Sequence, residues 1–131
     1  LRFGRTKMIS KAHALDAGYD LVATHDELVS SAGVTKIHTG ITGDVPPGHV
    51  GLVCSRSGLA AKHGVFVLNA PGILDSGFQG EVCILLSKVG EGSFPIRKGD
   101  RIAQLVYVPL SAYTPGVSSS RGDGGFGSTG Q

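Results

Sequence analysis

Short apolar runs broken by turn residues constrain this chain more than any other feature. Residues 19–23 (YDLVA), 34–38 (VTKIH), 50–54 (VGLVC), 65–68 (VFVL), 81–86 (EVCILL) and 101–108 (RIAQLVYV) are rich in Val, Ile and Leu. Each is too short for an ordinary helix and suits a strand. Between them stand SAG, TGD, PPG, NAPG, DSG, GEGS and RKGD, which are turn signals. Glycine supplies 21 of 131 residues against a usual share of about 7%. Many tight turns and short strands predict an all-β, antiparallel sandwich or barrel in one domain. A helix of one or two turns is expected at SGLAAKHG, with Ser57 as its cap and Gly64 as its end.

Several function classes lose support at once. Twelve Lys and Arg form no run longer than two, and net charge is +2, so nothing suits a nucleic-acid backbone or a membrane surface. No apolar run approaches the roughly 20 residues of a membrane span, and the opening LRFGRTKMIS lacks the apolar stretch of a secretory signal. Cys54 and Cys83 stand apart with no CxxC spacing. Zinc-ligand and redox readings are therefore weak, and reduced thiols in a cytoplasmic setting are the expectation. The histidines at 13, 25, 38, 49 and 63 are scattered, with surface positions expected.

Four internal segments carry candidate chemistry. In CSRSGLA (54–60), Arg56 offers a charged fork, while Ser57 and Gly58 offer a hydroxyl and open backbone N–H groups to an anion. The plainer reading is an N-cap beside a solvated Arg. NAPGILDSGFQGE (69–81) reads as a β-hairpin in which Asp75, among Ile73, Leu74 and Phe78, is partly desolvated as a general base. A turn Asp bonding its own backbone is the alternative. Gln104 is the polar group of an apolar run, and Asp20 is a strand-entry carboxylate open to a hard cation or to water. The last stretch, from Pro115, is glycine- and serine-rich like a linker, yet holds Arg121 and Phe126.

In order, AGYDL, SRSGLA, NAPGILDSGFQGE, GDRIAQL and RGDGGFGSTG resemble the five motifs of the trimeric dUTP pyrophosphatases, from about Ala17 to Gly130. The resemblance implies a jelly-roll-like β-barrel over residues 1–114 and a tail, 115–131, that closes over the site. It implies hydrolysis of dUTP to dUMP and pyrophosphate with Mg²⁺, in a homotrimer whose sites are shared between subunits. Asp75 would activate water, and Arg56, Ser57, Gly58 and Gln104 would hold phosphates. Asn69, Gly72, Ile73 and Leu74 would shape the uracil pocket with Cys83 on the return strand, and Asp20 would stand near the Mg²⁺. In the tail, Arg121 would touch the terminal phosphate, Phe126 cover the uracil, and Gly127, Ser128 and Thr129 lend small donors.

Two positions depart from the family pattern. Phe78 replaces the usual Tyr under the deoxyribose, keeping the ring and losing the hydroxyl; Ser55 stands where Pro is common, which predicts a looser turn. The related dCTP deaminases share the fold and a similar hairpin. They need a glutamate on the return strand, where this chain has Leu85. A non-catalytic nucleotide-binding protein on the same scaffold is the alternative from another class.

Overall fold

The computed structural model describes residues 9–116. Nine strands and one helix follow in the order β1 (Tyr19–Val22), β2 (Glu27–Ser30), β3 (Thr35–Thr42), β4 (His49–Cys54), α1 (Ser57–His63), β5 (Val65–Val67), β6 (Gly72–Leu74), β7 (Glu81–Lys88), β8 (Ser93–Ile96) and β9 (Arg101–Pro109). They form a four-stranded sheet β1-β9-β4-β6, a three-stranded sheet β3-β7-β5 and a two-stranded sheet β2-β8. Every pairing between these strands is antiparallel. The fold is an all-β, jelly-roll-like one.

Side-chain alternation explains why these sheets close on one core. In β3, Ile37, Thr39 and Ile41 point inward while Lys36 and His38 face out, and in β7 Val82, Ile84 and Leu86 do the same against Glu81, Cys83 and Leu85. Leu21, Val53, Ile102 and Leu105 of the larger sheet meet them, with Val29 and Ile96 from the two-stranded sheet. The most deeply buried hydroxyl, that of Thr39, is satisfied by donating to the Val82 carbonyl.

Two local readings change. The segment 69–81 is not a two-stranded hairpin: β6 pairs with β4, while β7 pairs with β3 and β5. The turn residues therefore carry the chain from one sheet to another. The helix is capped at Arg56, in extended geometry and without a side-chain cap bond, rather than at Ser57. Gly64 ends it as expected. Its φ of 67° is left-handed, and its N–H donates to the carbonyl of Ala60.

Candidate active site

β9 is the spine of the first cluster. Register places Asp20 of β1 and Cys54 of β4 on either side of Gln104. The Gln104 side-chain amide donates to the carbonyl of Ser55 at 2.9 Å, fixing the turn that leads into Arg56. A Cβ at Gly18 would overlap the Gln104 side-chain amide, so glycine leaves that side chain undisturbed in its bond to Ser55. Arg56 donates through Nη1 to the Arg101 carbonyl at 3.3 Å, and Arg101 stands 3.9 Å from the Asp20 carboxylate. The result is a polar cavity of about 290 Å³ lined by Asp16, Asp20, Arg56, Ser57, Gly58, Arg101 and Gln104, with Ala12, Ala17 and Gly18. Two guanidinium groups, a hydroxyl and first-turn N–H groups without helical partners suit a polyanion. Three stretches far apart in the chain thus deliver Asp20, Arg56–Gly58 and Gln104 to one place.

Ser55 does not loosen the turn. Its hydroxyl accepts from the Val67 N–H at 2.8 Å while its carbonyl accepts from Gln104, so it ties α1's entry to both β5 and β9. A proline there would have no oxygen on its side chain to do this.

A second cavity, about 80 Å³, lies between β6 and β7. Asn69, Gly72, Ile73, Leu74 and Cys83 line it with Val53, Val67, Ile84 and Leu85. It has the size and apolar character for part of a flat ring. Leu85, at the position where a deaminase needs its glutamate, is one of its apolar walls. Gly72 packs against Val53 at a distance where a Cβ would be tight, so glycine lets β6 approach β4 closely.

Asp75 and Phe78 line neither cavity. Both are exposed in the single chain, so the expected partial desolvation of Asp75 is not found there. Nor does Asp75 act as a self-bonding turn residue. Its backbone carbonyl accepts from the Phe78 N–H at 3.0 Å, and among the described residues its carboxylate has no hydrogen-bond partner. The Phe78 ring lies over Gly80, whose missing side chain makes room for it. Arg121, Phe126, Gly127, Ser128 and Thr129 lie outside the described residues.

One cluster escaped the sequence reading. His38 and Cys83 are direct cross-strand partners, with Glu81 two residues along the same outward face. His38 Nδ1 is 2.9 Å from Glu81 Oε1 and 3.5 Å from Cys83 Sγ. Burial would raise the Glu81 carboxyl, but His38 and the Gly40 N–H hold it below its usual range. Burial and the Glu81 charge push the Cys83 thiol up. Alternation around EVC and KIH could have placed all three on one face; only the register could bring the faces together.

A family model described as dUTPase matches residues 5–130. The chain belongs to the dUTPase family. Its curated dUTPase relatives include the deoxyuridine 5'-triphosphate nucleotidohydrolases of Clostridium tetani, 42% identical over 95% of this chain and 90% of that one, and of Gloeobacter violaceus, 44% identical over 91% and 86%. A mutant dUTPase from phage phi11 of S. aureus superposes with a TM-score of 0.75 at 26% identity. The superposition covers 87% of this chain and 89% of that one, and that structure was solved for its coordination of a structural Mg(II) ion. These dUTPase likenesses span the two cavities described above.

Proposed function

We propose that this protein hydrolyses dUTP to dUMP and pyrophosphate, with Asp75 as general base and with sites shared between the subunits of a homotrimer. Beyond family membership, the observation that carries the reading is the polar cavity that gathers Asp20, Arg56, Ser57, Gly58 and Gln104. Water's oxygen would bond to the α-phosphorus as the α–β bridging bond breaks and pyrophosphate leaves. Asp75, whose carboxylate no described residue engages, would accept the water's proton. Arg56 and the Ser57–Gly58 turn would hold the departing phosphates, with Gln104 keeping that turn in place. The small cavity under β6 would take uracil. Its close walls disfavour thymine's methyl, and fixed backbone groups disfavour cytosine's reversed edge.

The donors of the polar cavity fit Mg²⁺. Asp16 and Asp20 offer carboxylate oxygen alone, and Asp20 is already partly balanced by Arg101. That suits a hard ion held mainly through substrate phosphates and water. Bound Mg²⁺ would draw off phosphate charge and orient the chain of phosphates.

Division into residues 1–114 as the β-domain and 115–131 as a tail over the site belongs to the same proposal, with Arg121 and Phe126 as the tail's gripping groups. So does a cytoplasmic setting: among the described residues no helix is long and apolar enough to cross a membrane. The test is incubation with each deoxynucleoside triphosphate and Mg²⁺, measuring pyrophosphate and ammonia separately. Pyrophosphate from dUTP alone is expected, and ammonia from dCTP would replace this reading with deamination.

A further inference from the structure

We propose that His38, Glu81 and Cys83 form a binding site for a soft or borderline divalent cation, of the Zn²⁺ class, separate from the Mg²⁺ of the nucleotide site. Their ligand atoms, one nitrogen, one oxygen and one sulfur, lie within 4.8 Å of one another. Tetrahedral bonds of about 2.0–2.3 Å to such ligands place sulfur and nitrogen about 3.6 Å apart and nitrogen and oxygen about 3.4 Å apart. The structure has 3.5 Å and 2.9 Å for these pairs. The nitrogen–oxygen pair needs to open by about half an ångström, and the sulfur–oxygen pair lies within 4.8 Å.

The backbone holds this arrangement in place. The β3–β7 register shifts between His38 and Thr42, and Gly40 sits in the interruption with a left-handed φ of 71°. Its N–H turns to donate to Glu81 Oε2 at 2.8 Å, leaving Oε1 aimed at His38. Outer hydrogen bonds of this kind orient ligating carboxylates. His38 is also exposed, which gives an ion a way in.

Charge and softness select the ion. A doubly charged cation with one carboxylate, one thiolate and one neutral imidazole leaves no net charge at the site. The thiol proton is released to solvent as the metal–sulfur bond forms. Thiolate and imidazole favour zinc-class ions, whereas Mg²⁺ prefers oxygen alone. Three protein ligands leave a fourth position for water.

Co²⁺ is the probe, because its bond to a thiolate gives a charge-transfer absorption. Titrating Co²⁺ into the metal-free full-length protein is expected to raise that band to saturation at one ion per chain, with Zn²⁺ abolishing it. His38→Ala is expected to weaken Co²⁺ binding by about 100-fold or more, the upper end of what loss of even an outer partner costs. Glu81→Gln, nearly isosteric, gives the same direction should the first variant misfold. Cys83→Ser should remove the band and Cys54→Ser should leave it. A band that is absent, that follows Cys54, or that keeps its affinity without the His38 imidazole and the Glu81 carboxylate overturns the site.

Discussion

Asp75 meets solvent with a carboxylate that no described residue engages, and that freedom sets what its replacement should do. Asp75→Asn keeps shape but cannot accept a proton. Turnover of dUTP is expected to fall by at least ~10²-fold with nucleotide binding largely kept. Single-turnover kinetics beside equilibrium titration separates the two, and near-normal turnover would remove Asp75 from its role. Phe78 lies against Gly80 and the residue is 45% exposed, so the ring rather than any hydroxyl is available to a sugar. Phe78→Tyr should therefore change hydrolysis and the preference for dUTP over UTP little. A large gain in sugar discrimination would assign the sorting to the hydroxyl instead. The sequence marked both residues as candidates, but their exposure was not legible in it. Apolar neighbours in sequence suggested a desolvated Asp75, whereas Ile73 itself points outward at 61% exposure and shields nothing in this chain.

Elements were legible where the pattern was long. β7 and β9, at eight and nine residues, hold apolar runs long enough to stand out, while β6 and β8 have three or four residues with Gly72 and Pro95 inside them. So short a run has no measurable period. Pairing was less legible than existence. Turn residues between 69 and 81 suggested a hairpin, but β6 found β4 across the sheet. The same limit hid His38 beside Cys83. The turn at Ser55 gives this scale its prediction. Ser55→Ala removes the acceptor of the half-buried Val67 N–H, and an unmade bond of that kind costs about 1–3 kcal/mol. Denaturant unfolding with an unchanged m-value should show the loss. A variant as stable as the parent would mean that water or another oxygen serves Val67 equally well.

At the scale of the whole molecule, the two cavities share no lining residue, and Asp75 belongs to neither. One chain thus carries an anion cradle and an apolar slot as separate features, and on the proposed shared-site reading a second copy brings the base to the cradle. Arg56→Ala chains lack a phosphate holder, and Asp75→Asn chains lack the base; each parent should be nearly inactive. Suppose each site draws its cradle from one subunit and its base from the next. In a closed trimer formed from a one-to-one mixture, a site is whole when one subunit has Arg56 and its neighbour has Asp75. That is one half times one half, about a quarter of sites. Within one chain the two lesions never cancel, because every chain carries one of them. Activity near a quarter of the unmutated level is therefore expected after the two variants are unfolded together and refolded. Subunit exchange is checked independently, by mass on differently tagged chains. If trimers exchange and the mixture stays at the level of its parents, cradle and base act within one chain, and the division of the site between subunits fails.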